Sequence, residues 1–442
     1  HTSDEHEWFV NSKNEPEGRY GDYYIWRKGK GELPPNNWQS FFSGSTWNYY
    51  PERDEYALHL FSKKQMDLNW ENPAVREGVY DIIRFWRDKG ADGFRLDVIN
   101  YISKSSLDDG DETLGSLLGF CGVEHYFYGK RLHEFLQEAR QKGFGDAFLI
   151  GETPGTGPEM NKLLTAPSRG EMDTLFCFDH LENLGKGRFD IYRFDLNHLK
   201  KCFIGYQGDF ADYAWPSIFL ENHDNPRILS KIEPEGHHHP ALAKMLAVLL
   251  LTARGVPFVY QGQELGAVNV DFQGIEELRD VESINLYRDL SEAGAEDAWA
   301  RIKRGTRDHA RVPMQWSPEP TGGFSASTPW IRLSDPKAWN VAAQQSAAGS
   351  ILSAYKTLIA LRKEHAALVY GSFTPLYENK RDLFCYERVL DSERFVVVAN
   401  LSGKPIRHPW LKGELERIYG NYDDAAQALR PYEACVYHAV YA

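Results

Sequence analysis

Between Val75 and Tyr260 the chain alternates two hydrophobic periods, and this alternation limits its fold more than any other feature. Val79, Ile82, Ile83, Phe85 and Trp86 recur at helical spacing and stop at Gly90. The short run Gly93-Phe94-Arg95-Leu96-Asp97-Val98 then reads as a buried strand. A second helical stretch covers about Tyr126 to Arg140 and ends at Gly143, before Ala147-Phe148-Leu149-Ile150 leads into Gly151-Glu152. Thr174–Phe178, Ser217–Leu220 and Val256–Tyr260 read as further strands, the last preceded by the Leu- and Ala-rich helix His239–Arg254. Strand and helix alternating in this way predict a parallel sheet with helical crossovers. Three of the strands run into acids: Asp97, Glu152, and Asp224 within Asn222-His223-Asp224. Polar chemistry at the C-terminal ends of parallel strands is where a (β/α)8 barrel keeps its site. A doubly wound sheet does the same, but no Gly-rich phosphate loop follows any of these strands.

The flanks differ in character. Residues 1–70 are dense in Trp, Tyr, Asn, Pro and Gly, carry no sustained helical period and read as a loop-rich insertion. After the helix Ile351–Arg362 come Ser372–Tyr377, Leu383–Val389 and Arg394–Asn400, separated by charged turns, which predict a small antiparallel domain. The expected organisation is therefore an insertion over 1–70, a barrel over 71–370 and a β domain over 371–442. The net charge of −13 argues against nucleic acid as a partner, and the aromatic content suits a neutral ligand. The best apolar run, Leu246 to Leu251, is far short of the ~20 residues that span a bilayer, so no membrane association is expected. Five cysteines without a CxxC pair read as reduced thiols in a cytoplasmic protein.

Two carboxyl groups about 5 Å apart are what a retaining glycosidase needs, one to attack the anomeric carbon and one to protonate the leaving oxygen. Arg95, two residues before Asp97 on the same strand face, would keep a nucleophile at Asp97 ionised. Glu152 would need a drier or more anionic place to hold its proton. Taken singly, each acid could equally cap a helix start.

The sequences around the acids carry more. Asp92-Gly93-Phe94-Arg95-Leu96-Asp97, Ile150-Gly151-Glu152-Thr153-Pro154-Gly155 and Phe219-Leu220-Glu221-Asn222-His223-Asp224-Asn225-Pro226-Arg227 resemble, in order, three signature regions of the α-amylase superfamily, glycoside hydrolase family 13. Gln261-Gly262-Gln263-Glu264 and Arg311-Val312-Pro313-Met314-Gln315-Trp316 resemble its oligo-1,6-glucosidase group. So does Gln65-Met66-Asp67-Leu68-Asn69-Trp70, with Met66 in place of the usual proline, a change expected to be tolerated in a loop. The resemblance implies a (β/α)8 barrel and a retaining α-glucoside hydrolase, with Asp97 as nucleophile, Glu152 as general acid/base and Asp224 as the third carboxylate gripping sugar hydroxyls. It implies that Arg95, His223 and Arg311 line the glucose pocket. Phe61 and Phe42 would supply apolar faces, and His1 would match the histidine closing the strand-three motif. Val98, after the nucleophile, goes in this group with α-1,6 bonds, smaller or polar residues with α-1,4; strand propensity alone would also favour valine.

Other features have plainer readings. His237-His238-His239 reads as a solvated loop, with no metal expected there. Arg301, Lys303, Arg304 and Arg307 read as a solvated helix face, with Arg311 the one functional member of the cluster. Trp38, Trp47 and Trp70 suit either a sugar cleft or the core of the insertion.

The expected reaction is exo-hydrolysis of isomalto-oligosaccharides by a monomer that requires no cofactor. The alternatives are a trehalose-6-phosphate hydrolase, an α-1,4-glucosidase or a sucrose-active relative. Leu184-Gly185-Lys186-Gly187-Arg188-Phe189-Asp190 lacks the Arg-Leu-Asp-Arg pattern of a sucrose isomerase. Outside these enzymes stands a non-catalytic scaffold or an inactive truncated homologue; scaffolds typically lose one of the three acids. The motif order sets His1 at the end of barrel strand three. At about 30 residues per βα unit, some 90 residues carrying three strands would then precede it, with any calcium site of the first βα loop among them.

Overall fold

The computed structural model describes residues 1–210, 214–334, 339–424 and 426–440. The chain divides into two units, His1–Cys177 and Phe178–Ala442.

In the first unit a parallel sheet carries Gly93–Leu96, Phe148–Glu152 and Thr174–Phe176, with Phe148–Glu152 in the middle. Gly93 pairs with Phe148 and Leu96 with Gly151, while Glu152 pairs with Phe176. Gly93 is needed for this approach, since a Cβ there would lie 2.7 Å from the Phe148 carbonyl oxygen. The parallel pairing expected from the alternating pattern is present. Helix Pro73–Asp88 leads into the sheet; Asn72 caps it by accepting from the Ala74 amide, and Pro73 sits where a missing N–H costs nothing. Val75, Tyr80 and Ile83 are buried on it, whereas Ile82, Phe85 and Trp86 are about half exposed.

The expectation of an irregular first 70 residues is corrected in two places. Glu7–Asn14 is a helix, capped by the His6 ring, which accepts from the Trp8 amide. Trp26–Arg27, Glu55–Leu58 and Trp47–Tyr50 form an antiparallel sheet in that order. Trp38 and Trp47 are core residues rather than cleft walls, and Trp70 packs on Phe135. Met66 lies in the strand Gln65–Met66, paired with Thr2–Ser3 and fully buried, not in a loop. The substitution is tolerated because a methionine fills the apolar cluster of Phe9, Tyr23, Tyr24 and Trp26. The helix expected over Tyr126 to Arg140 is broken into Val123–Tyr126 and Leu132–Ala139, the second ending in a wide turn over Arg140–Phe144.

The second unit contains a parallel pair, Ser217–Ile218 with Val256–Pro257, joined through helix His239–Thr252. That helix is buried on nearly every side, each of its leucines contributing about 1.5–3 kcal/mol of apolar burial. The expected solvated His237–His239 loop is corrected here. His239 is the first helical residue, buried, with Nε2 2.8 Å from the Gly266 carbonyl oxygen, and His238 pairs with Glu233 at 2.6 Å.

A five-stranded antiparallel sheet follows, ordered Ser372–Leu376, Leu383–Leu390, Glu393–Asn400, Ala434–Val440, Glu416–Gly420. Its first three strands match expectation; the other two were not anticipated. Two buried arginines sit beneath it. Arg388 donates to the carbonyls of Thr252, Leu368, Val369, Gly371 and Ser372, and Arg362 to those of Leu251, Ala253, Gly255 and Leu368. These guanidinium groups satisfy carbonyls that helix ends leave unpaired and place positive charge where the helix dipoles favour it.

Candidate active site

The expected site residues fall into two clusters, one in each unit. In the first, Arg95 occupies strand Gly93–Leu96 and Glu152 ends its neighbour. Arg95 Nη1 donates to Asp97 and Nη2 to Glu152, so one guanidinium holds both carboxylates. Their surroundings differ: the Asp97 side chain is 53% exposed and that of Glu152 only 10%. The drier place expected for the acid is the one Glu152 occupies. Tyr101 lies close enough to feel Glu152; burial, and after it this carboxylate, pushes its phenol above the ordinary range.

Val98 departs from the expected strand, which ends at Leu96. Its backbone is left-handed, with φ 35°, and it precedes the single helical turn Ile99–Tyr101. Strand propensity therefore cannot account for valine here, because a β-branched residue is strained in this conformation. Its side chain packs into the cluster of Trp38, Trp47, Leu58, Leu60 and Tyr101 that also holds Phe61. Phe61 lies 5.8 Å from Phe42 and 6.3 Å from the His1 ring, measured between ring centres. The His1 ring is also 3.3 Å from the Gln65 amide nitrogen. Asp67 of the same motif forms a largely buried ion pair with Lys104. The first unit thus gathers Phe42, Phe61 and His1 around one aromatic group, with Val98 packed into the same core.

In the second unit Asp224 lies in a turn beyond strand Ser217–Ile218, its amide donating to Asn222 at 2.9 Å. Two guanidinium groups and an imidazole surround its carboxylate: Arg311 at 2.7 Å, His223 at 3.1 Å and Arg307 at 3.2 Å. Burial works to raise the Asp224 pKa. The His223 hydrogen bond and the charges of His223, Arg307 and Arg311 outweigh it and hold the carboxyl well below the usual range.

Arg307 corrects the expected solvated face. Helix Ala298–Gly305 stops before it, Thr306 caps a new turn over Arg307–Ala310, and the Arg307 side chain is 11% exposed. It also donates to Asp280, whose side chain is fully buried and accepts from Ser283 Oγ at 2.6 Å. His309 fixes this turn. Its Nδ1 accepts from the Val270 amide at 3.0 Å and its Nε2 donates to the Lys303 carbonyl at 2.6 Å. Burial pulls its pKa down to about 4, so the ring is neutral at pH 7. Gly305, a residue that commonly stops helices, is the sequence signal that could have shown Arg307 leaving the helix face.

The family model for the α-amylase catalytic domain matches residues 1–371. The chain belongs to the α-amylase family. The oligo-1,6-glucosidase of Parageobacillus thermoglucosidasius is 43% identical, over 99% of this chain and 81% of its own length. That of Halalkalibacterium halodurans is 40% identical over the same shares. Among solved structures, the trehalose-6-phosphate hydrolase of Bacillus licheniformis matches 100% of this chain and 82% of its own, with TM-score 0.90 and 37% identity. Membership of the α-amylase family implies a catalytic TIM barrel followed by a C-terminal antiparallel sheet, and the sheet over 372–440 fits that order. Among the described residues no helix is long and apolar enough to cross a membrane.

Proposed function

We propose that this member of the α-amylase family is a retaining α-glucosidase that releases terminal α-1,6-linked glucose from isomalto-oligosaccharides. The observation that carries the reading is the Arg95 bridge. One guanidinium holds Asp97 and Glu152 side by side, the paired carboxylates that nucleophile and acid/base of a retaining enzyme require.

In the first step a carboxylate oxygen of Asp97 attacks C1 of the terminal glucose. The bond from C1 to the leaving oxygen breaks, and Glu152 gives that oxygen its proton. In the second, Glu152 takes a proton from water as the water oxygen attacks C1, and the ester bond to Asp97 breaks. Asp224, held ionised with His223 and Arg311 beside it, is the carboxylate that the family resemblance assigns to glucose hydroxyls, and Arg95 a group that it assigns to the terminal glucose. Phe61, Phe42 and His1 provide its apolar and edge contacts. Val98, rigid in its strained turn, narrows the wall beyond the scissile bond and selects the α-1,6 direction.

The nucleophile and the acid/base of these steps are side chains of this chain, so the proposed chemistry requires no cofactor. The reading keeps 1–70 as the insertion, 71–370 as the barrel with strands four to eight, and 371–442 as the β domain of a cytoplasmic monomer. Its test is glucose release from isomaltose set against trehalose 6-phosphate, with the first anomer followed by NMR. Isomaltose is expected to be preferred and α-glucose to appear first; no glucose from isomaltose would sink the reading.

A further inference from the structure

A second group of ligating side chains lies outside the residues used for catalysis. His365 closes helix Ile351–Glu364, Glu393 opens strand Glu393–Asn400, and His438 lies in strand Ala434–Val440. His365 Nδ1 is 2.6 Å from Glu393 Oε1, and His438 Nε2 is 3.2 Å from the same oxygen. One ligand atom from each residue lies within 4.8 Å of the others. The ion pairs recorded for Glu393 among the described residues are both with these histidines.

The spacing suits one ion. Zinc bonded tetrahedrally at about 2.0–2.1 Å sets its ligand atoms about 3.4 Å apart, so the two nitrogen–oxygen distances of 2.6 and 3.2 Å need to widen only slightly to take it. The rings are already held. Phe395 stacks on His438, with ring centres 4.5 Å apart, and meets His365 edge-on at 5.0 Å. The three side chains are a fifth to a quarter exposed, which leaves an entry path and a fourth position for water. Glu416 is the strand partner of His438 across the sheet and puts a further carboxylate on that face.

We propose that His365, Glu393 and His438 form a binding site for one divalent transition cation of the zinc class, which clips the end of helix Ile351–Glu364 to two strands of the sheet. Two imidazoles and one carboxylate select such an ion over calcium or magnesium, which prefer all-oxygen cages. The site joins segments far apart in sequence, so the bound ion stabilises the folded chain by linkage.

The test is a titration of the chelator-stripped full-length chain with zinc chloride, read by calorimetry and by thermal unfolding. About one equivalent is expected to bind at micromolar zinc, with a rise in Tm that EDTA reverses and magnesium does not produce. The double variant His365→Ala, His438→Ala is expected to lose both the equivalent and the rise. Glu393→Gln keeps a side chain of the same size beside the imidazoles and is expected to weaken zinc binding at least tenfold. The proposal is overturned by an absent saturable equivalent in the wild type, or by one that survives the double variant. A wild-type Tm unmoved by zinc while Glu393→Gln lowers it would make the cluster a hydrogen-bonded brace and also overturn it. These readouts do not depend on which glucoside is cleaved.

Discussion

The carboxylate clusters of the two units are built on opposite ratios. Around Arg95 one donor is divided between two acids, Asp97 and Glu152. Around Asp224 one acid is divided among three donors, His223, Arg307 and Arg311. Where three donors meet one acid, protonation would break several contacts at once. The first arrangement suits groups that must exchange a proton and a covalent bond during turnover; the second suits a fixed anion.

The sharpest way to break this contrast is Asp97→Asn, which keeps the shape and removes the nucleophile. It is expected to lower kcat on isomaltose more than about a hundredfold, a loss above ~3 kcal/mol, and a smaller loss would refute the assignment. Glu152→Gln is expected to fall comparably on isomaltose but to retain much more activity on an aryl α-glucoside whose leaving group needs no proton. Equal losses on both substrates would remove Glu152 from the acid's role.

Stability separates the clusters next. Arg307→Met leaves Asp280 buried without its cation, which is expected to cost about 3–5 kcal/mol in urea unfolding. Arg95→Met is expected to cost less, about 1–3 kcal/mol, since Asp97 stays solvated although Glu152 loses a donor in a buried place. The reverse ranking would erase the distinction. Val98→Thr is expected to shift the ratio of kcat/KM for isomaltose over maltose toward maltose by about tenfold, near 1.4 kcal/mol. An unchanged ratio would reduce Val98 to a packing residue.

The smallest effect concerns pH. The folded pKa of Asp224 is depressed, so its stabilising contribution is complete above its unfolded value of about 4 and fades as pH falls toward the folded pKa. The stability gap between wild type and Asp224→Asn should therefore shrink on acidification below about pH 4. A gap that grew in acid would contradict the donor-rich picture.

The sequence patterns that proved readable share a cause: they report burial. Phe148–Glu152 stands out as an apolar run because Leu149 to Glu152 are buried, and helix His239–Thr252 because it is buried on nearly every side, whereas Gly93–Leu96, expected as a buried strand, leaves Gly93 and Arg95 exposed. What escaped depends on direction or on pairing at a distance. Val98 continues the run in composition, yet the backbone reverses at that residue. Arg307 continues the spacing of Arg301 and Arg304, yet the helix has ended at Gly305. Helix Glu7–Asn14 buries only Phe9 and Ser12, too little to mark a period among so many aromatic neighbours. Glu416–Gly420 carries an irregular register against its partner, which blurs the alternation that betrays a strand.

Arg362 and Arg388 give the C-terminal sheet a consequence of their own. Because Arg388 reaches back to Thr252 and Leu368, cleavage before Ser372 would remove the group that closes those carbonyls and leave Arg362 alone among them. The sheet is thus no detachable appendage. Calorimetry of the second unit's helices and strands should record one shared melting event, and a protease nick near Gly371 should be met with collapse of both sides rather than release of a folded fragment.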